Sequence, residues 1–93
     1  MKVEVLYFAN FKDITRKDRE ILELKENTVE GLTSKIFSKY KPIKNLIWDD
    51  EIKNLKGNIS VVINDKLITD KNKGNLVLKD GDKVAFLLPF SGG

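Results

Sequence analysis

Two apolar, strand-like segments at opposite ends of the chain most constrain its fold. Residues 3–8 alternate between two sets of side chains, which is typical of a β-strand. Residues 83–88 are rich in apolar side chains, follow a turn centred on Gly81, and stop at Pro89, which has no amide hydrogen to donate to a sheet. Because both segments are strongly apolar on one face, we expect them to lie side by side at the centre of one sheet.

Between these segments, the spacing of apolar residues predicts one main helix over residues 29–40. Thr28 or Asn27 is suited to cap its N-terminus, and Pro42 is expected to end it. Residues 42–58 are compatible with either a short second helix or an irregular cover. The helix is therefore the one long element expected to pack on the sheet.

Shorter strands are predicted on both sides of this helix. Residues 19–24 alternate in the manner of a strand, and residues 59–63 and 66–69 are separated by a turn-forming pair. Residues 10–18 are predicted as a polar, irregular connection that includes a short turn. This order of elements predicts an α+β fold, in which one main helix crosses one face of a mixed sheet of four to five strands.

The 93 residues include neither cysteine nor histidine. This excludes a disulfide framework, a thiolate nucleophile, a zinc site of the usual Cys/His kind and acid–base catalysis by imidazole. The length fits one domain over residues 1–93, and we expect a cytoplasmic protein because neither a secretory signal nor a membrane-spanning apolar run of about 20 residues is apparent. The net charge of +3 comes from lysines scattered among acidic residues, a pattern that does not favour nucleic-acid binding.

The chain ends in Ser91, Gly92 and Gly93. Glycines can enter a channel that is too narrow for other residues, and so can reach an active site inside a partner. The terminal carboxylate, with an ordinary pKa of about 3.3–3.7, is ionised at neutral pH and is a poor electrophile, so another enzyme must activate it before sulfur or an amine can attack. A frayed terminus is the plain alternative, but the apolar strand directly before the glycines favours a functional tail.

These motifs resemble those of the ubiquitin-like sulfur carriers of the MoaD/ThiS type, and most of all the small subunit of molybdopterin synthase. The matching segments are residues 5–9 (Val-Leu-Tyr-Phe-Ala), 28–32 (Thr-Val-Glu-Gly-Leu) and 62–64, and above all 80–93. The resemblance implies a β-grasp fold, which agrees with the predicted order of elements. It also implies a flexible Gly-Gly tail at about residues 89–93.

For Gly93 the resemblance implies adenylation by an ATP-using partner of the ubiquitin-activating type, followed by conversion to a thiocarboxylate. The tail would then enter the large, catalytic subunit of molybdopterin synthase and deliver sulfur to a pterin precursor. The chain itself would be a carrier that has no catalytic residues and binds no cofactor or metal.

Partners of this family dock on the sheet face beside the tail, and the resemblance assigns five residues of this chain to that interface. These residues are Phe8, Leu67, Leu87, Pro89 and Phe90. The alternation of the first and last strands supports Phe8 and Leu87 independently, because each lies opposite the apolar core set of its strand. Leu6 and Ala85 are expected to extend the patch.

The sequence also departs from the family's pattern, and other functions remain open. Residues 70–75 make the loop before the last strand longer than is usual, and residues 42–58 have no firm match. The same tail chemistry serves tRNA thiolation, thiamin synthesis and attachment to lysines as a ubiquitin-like modifier. A different class is a β-grasp interaction module with an inert tail, because a fold alone does not determine function.

Overall fold

The computed structural model describes residues 1–69 and 73–88, and these form a five-stranded mixed sheet, a two-stranded hairpin, three helices and a 3-10 turn. The elements in chain order are β1 (Lys2–Leu6), α1 (Asn10–Thr15), β2 (Arg19–Glu23), α2 (Val29–Lys39), α3 (Lys41–Ile47), β3 (Trp48–Asp49), β4 (Asn54–Leu55), β5 (Ser60–Ile63), β6 (Lys66–Ile68), the 3-10 turn (Lys73–Asn75) and β7 (Lys83–Leu87).

The strand order of the main sheet is β2-β1-β7-β5-β6. The first and last strands are parallel neighbours, with Val5 opposite Val84, and the other neighbouring strands are antiparallel. The sequence prediction that the two end segments lie side by side is therefore confirmed. β7 is the middle strand of the five, so the chain that follows it starts from the centre of the sheet.

Helix α2 covers the inner face of this sheet with the side chains that the helical spacing predicted. The Thr28 hydroxyl caps its N-terminus by accepting a hydrogen bond from the Gly31 amide at 3.1 Å. The helix ends at Lys39, and Pro42 lies in the first turn of α3, where a missing amide hydrogen costs no helical bond. Of the two possibilities for residues 42–58, the short second helix is therefore correct for its first part.

The connection between β1 and β2 differs from the prediction. Within residues 10–18, which were expected to be irregular, α1 forms a helix that buries Phe11 and Thr15 one turn apart. The Thr15 hydroxyl donates a hydrogen bond to the Phe11 carbonyl at 2.9 Å, and Arg16 ends the helix in the left-handed conformation. Packing of Phe11 and Thr15 stabilises this short helix, but two buried residues are too weak a pattern to be recognised in sequence.

The predicted turn before β7 is tied to the start of β1. Gly81 has a φ of +87°, which favours glycine, and its amide donates to the Lys2 carbonyl at 2.7 Å. The Asp80 carboxylate accepts a hydrogen bond from the Lys2 amide at 2.7 Å, and the Asp82 carboxylate accepts one from the Asn64 side chain at 2.8 Å. These bonds fix the start of β7 between β1 and β5.

One apolar core lies between the sheet and the helices, and none of the helices in the described residues is long and apolar enough to cross a membrane. The most deeply buried core side chains are Val3, Val5, Val29, Leu32, Ile36, Ile43, Ile47, Ile59, Val61, Leu78 and Val84.

Candidate functional site

The outer face of the sheet, turned away from α2, carries a continuous row of apolar side chains. Leu67 of β6 lies opposite Val62 of β5, Val62 lies opposite Ala85 of β7, and Ala85 lies opposite Leu6 of β1. The alternate residues of β1, β5 and β7 are core residues, so these four side chains point outward. We call Leu6, Val62, Leu67 and Ala85 the apolar row.

Two further apolar side chains extend the apolar row toward the end of β7. Phe8 follows β1, lines the same surface groove as Leu6, and is 50% exposed. Leu87 is the last residue of β7, lies opposite Ser60 and is half-buried. We call the apolar row together with Phe8 and Leu87 the docking face. It ends where the chain continues toward the tail.

The structure places on one face of the sheet three of the residues that the sequence assigned to a partner interface. Phe8 and Leu67, which is 60% exposed, present large apolar surfaces on opposite sides of the middle strand, which carries Leu87. Their role in binding a partner stays a prediction. The other assigned residues, Pro89, Phe90, Ser91, Gly92 and Gly93, lie outside the described residues.

Ala85 does not extend the exposed patch as expected. Its side chain points outward but is 5% exposed, because a methyl group between Val62 and Leu6 is covered by these larger neighbours. Ala85 therefore forms the floor of the docking face.

Two outward-facing apolar residues were missed in the sequence. Val62 lies between Val61 and Ile63 in β5, so no polar neighbour reveals which side of the strand is exposed. Ile21 is exposed on β2 opposite Glu4. Its alternation with Leu22 and Leu24 is the sequence signal that places it on the other face of the strand. Ile21 lies one row away from the apolar row.

A polar cluster centred on Glu20 was also not predicted. The hydroxyls of Tyr7 and Tyr40 donate hydrogen bonds to Glu20 Oε1 at 2.9 and 3.0 Å. Lys17 donates to Oε2 at 2.9 Å, and Lys39 also binds Oε2. The Glu20 side chain is 10% exposed, so its carboxylate is enclosed by these four partners. We call these five residues the Glu20 cluster; it joins β2 to the end of β1 and to the C-terminal end of α2.

The charges of the Glu20 cluster reinforce one another. Partial burial acts to raise the pKa of the Glu20 carboxyl, but the hydrogen bonds from Lys39, Lys17 and the two tyrosines outweigh it and lower this pKa to about 2. Burial, and then the bond to Glu20, raise the pKa of Tyr7. The bond to Glu20 also raises the pKa of Lys17. Each of these three groups keeps its ordinary charge state at neutral pH, so the cluster is suited to holding the fold rather than to moving protons.

Two further observations concern the acidic and the buried polar side chains of the described residues. Residues 1–69 and 73–88 contain no cluster of three or more acidic side chains placed to hold a metal ion. In the same ranges no buried side-chain nitrogen or oxygen lacks a hydrogen-bond partner.

A mixed sheet with parallel first and last strands, crossed by one main helix, is the β-grasp fold of ubiquitin-like proteins. The chain belongs to the ThiS family, whose family model matches residues 5–93. The resemblance to ubiquitin-like sulfur carriers and the predicted fold class are both confirmed.

Solved structures similar to this chain come from several organisms. Small archaeal modifier protein 1 from Methanosarcina acetivorans is 26% identical with a TM-score of 0.79, over 99% of this chain and 96% of that one. A putative molybdopterin converting factor, subunit 1, from Pyrococcus furiosus is 27% identical with a TM-score of 0.70, over 95% and 97% of the two chains. A chain of the Amycolatopsis orientalis BexX/CysO complex is 25% identical with a TM-score of 0.79, over 98% and 99%. No curated protein sequence matches significantly.

Proposed function

We propose that this chain is a sulfur carrier whose Gly93 carboxylate is activated by an ATP-using adenylating enzyme of the ubiquitin-activating type. The observation that carries the proposal is the family match, which runs through residues 5–93 and therefore includes the terminal Gly92 and Gly93. The central position of β7 supports it, because the segment that follows the middle strand starts beside the docking face.

The proposed chemistry takes place at the terminal carboxyl group. A carboxylate oxygen of Gly93 attacks the α-phosphate of ATP, and pyrophosphate leaves, so that an acyl-adenylate forms. A hydrosulfide ion (HS⁻) then attacks the activated carbonyl, the bond from this carbon to the AMP oxygen breaks, and AMP leaves. The thiocarboxylic acid that forms loses its proton to give the thiocarboxylate. The chain contributes the carboxylate, which is too poor an electrophile to react before activation, and the partner contributes the catalytic groups.

The docking face is the surface by which we propose that partners hold the chain. Large apolar side chains that are exposed together on a small domain mark a protein-binding surface more often than scattered ones do. Phe8 and Leu67 are exposed on the two sides of the docking face, and the half-buried Leu87 lies on the strand between them. A partner bound there lies beside the strand end from which the tail starts.

Within this chemistry we propose molybdopterin synthesis as the pathway. The chain would act as the small subunit beside a large, catalytic subunit of molybdopterin synthase, which takes the sulfur from the Gly93 thiocarboxylate. The 27% identity to the molybdopterin converting factor subunit of Pyrococcus furiosus favours this pathway. Since activation uses ATP, we place the reaction in the cytoplasm.

A second candidate function is attachment to other proteins. The 26% identity to small archaeal modifier protein 1 favours it, since an acyl-adenylate can be attacked by a lysine amine as well as by sulfur. Mass spectrometry of tryptic digests from the source cells separates the two candidates. Gly93 joined to lysines of other proteins marks a modifier, and a thiocarboxylate on the free chain marks a carrier.

The direct test of activation is ATP–pyrophosphate exchange by the adenylating enzyme of the same organism. We expect exchange to depend on the added chain and to be lost when Gly92 and Gly93 are deleted. Circular dichroism of the deleted form checks that it remains folded. Exchange that continues at the full rate with the deleted chain would contradict the proposal.

A further inference from the structure

Arg19 occupies a special position on the outer face of the sheet. It is the first residue of β2 and lies opposite Leu6 in the β1–β2 register. Its inward neighbour Glu20 points to the opposite side, into the Glu20 cluster. Arg19 therefore continues the apolar row by one position and places a cation at its end.

The guanidinium of Arg19 is available to an external anion. The side chain is 72% exposed, and it approaches the Glu4 carboxylate at 4.0 Å, the longest of the ion-pair distances in the described residues. Glu4 lies opposite Lys83 in the β1–β7 register, and the structure shows no ion pair between these two described side chains. Because the guanidinium is largely in solvent and the distance to Glu4 is long, this ion pair holds Arg19 weakly, and an external carboxylate can compete for it.

A groove of about 580 Å³ separates Arg19 from Phe8. Its lining residues are Leu6, Tyr7, Phe8, Ala9, Lys12, Asp18 and Arg19. Lys12 and Asp18 form an ion pair at 2.7 Å and neutralise one another. The groove thus combines apolar side chains with one further cation, Arg19, whose ion-pair partner Glu4 is at 4.0 Å and is not among the lining residues.

We propose that Arg19 determines the specificity of the docking face by binding a carboxylate of the adenylating partner. This carboxylate enters the groove beside an apolar side chain that packs on Phe8 and Leu6. The inference rests on the proposed function, and the adenylating enzyme is the occupant because both candidate functions begin with activation of Gly93. Arginine suits this role because its planar group donates two parallel hydrogen bonds to one carboxylate. An apolar contact and a charged contact together fix the orientation of the bound partner.

Charge reversal tests the proposal. We would measure the affinity and association rate of the purified adenylating enzyme for the wild-type chain, Arg19→Gln, Arg19→Glu and the control Lys41→Glu. Lys41 is exposed at the start of α3, so the control makes the same charge change away from the sheet face. We expect Arg19→Glu to weaken binding about ten-fold, mainly through slower association, with a smaller loss for Arg19→Gln. At about 0.5 M salt the difference should shrink, because salt screens exposed charges.

The outcomes separate this inference from the function on which it rests. If Arg19→Glu binds as tightly as Lys41→Glu, or if its loss does not change with salt, the role of Arg19 is wrong while the proposed function stands. If the wild-type chain does not bind the adenylating enzyme, both are wrong. Equal melting temperatures of the four proteins check that the substitutions act on binding rather than on folding.

Discussion

The Glu20 cluster makes a stability prediction whose size follows from the structure. Its hydrogen bonds lower the pKa of the Glu20 carboxyl from 4.5 to about 2. At 1.36 kcal/mol per unit of pKa, this shift sets a ceiling of about 3 kcal/mol on the stabilisation by the charged carboxylate. Lys17 and Lys39 are partly exposed, so solvent screening reduces the expected value to about 1–2 kcal/mol.

Glu20→Gln removes the charge and keeps the size of the side chain. At pH 7 we expect it to lower the free energy of unfolding by about 1–2 kcal/mol, which corresponds to about 5–10 °C in melting temperature for a domain of this size. Urea unfolding followed by the fluorescence of Trp48, the chain's one tryptophan, measures this difference. Glu23→Gln, an exposed position on the same strand, is the matched control and should change stability little.

The pH dependence of this difference tests its cause. A carboxyl whose pKa is lower in the folded than in the unfolded state stabilises the fold above the unfolded pKa, and the stabilisation is lost as the pH falls toward the folded pKa. The difference between wild type and Glu20→Gln should therefore be constant above about pH 5 and should disappear between the unfolded pKa of 4.5 and about pH 2. A difference that persists unchanged at pH 2 would refute the electrostatic explanation, and no difference at pH 7 would refute the role of the cluster.

Three further predictions concern the docking face, the turn before β7 and the start of α2. Phe8→Asp should weaken binding of the adenylating enzyme at least ten-fold in calorimetry, with little change in melting temperature, because a charge replaces a partner-binding apolar residue. The control Ile52→Asp, at an exposed position elsewhere, should bind normally. A large fall in the melting temperature of Phe8→Asp would show that Phe8 belongs to the core. Gly81→Ala should lower the free energy of unfolding in urea by about 1 kcal/mol or more because of the φ of +87°. The control Gly57→Ala should be tolerated, because no atom lies within 4 Å of the new methyl group. Equal effects of the two substitutions would contradict the conformation assigned to Gly81. Thr28→Ala should lower the free energy of unfolding by about 1 kcal/mol, because the helix loses its N-terminal cap. Thr28→Ser keeps the hydroxyl and should retain most of the stability. An equal loss in Thr28→Ser would show that the methyl group rather than the hydroxyl matters.

The sequence predicted the sheet and α2 because their apolar patterns repeat over several residues. The alternation of β1 lies within one element, as does the helical spacing of Val29, Leu32 and Ile36. The side chains that these patterns mark as apolar are the ones that pack in the core. In contrast, α1 depends on a single turn between Phe11 and Thr15. Pro42 predicts the end of α2 because proline restricts the residue before it, yet it is equally suited to the first turn of the next helix.

The candidate site was predicted in part, and the missing parts depend on contacts across the sheet. The sequence identifies Phe8 as a candidate interface residue because its position in the alternating strand places an aromatic side chain on the face opposite the core. The burial of Ala85 depends on the size of its neighbours on two other strands, which sequence order does not give. The Glu20 cluster joins residues as far apart in sequence as Tyr7 and Tyr40. Its contacts depend on the packing of β2 near the end of α2, which the sequence pattern does not give.

The most direct test of the central claim is the intact mass of the chain after incubation with its adenylating enzyme, ATP and a sulfur donor. The account predicts the mass gain of one oxygen replaced by sulfur, located by fragmentation at Gly93 and absent when ATP is omitted. A chain that the enzyme adenylates but that keeps an ordinary carboxylate at Gly93 in the presence of the sulfur donor would contradict the carrier function.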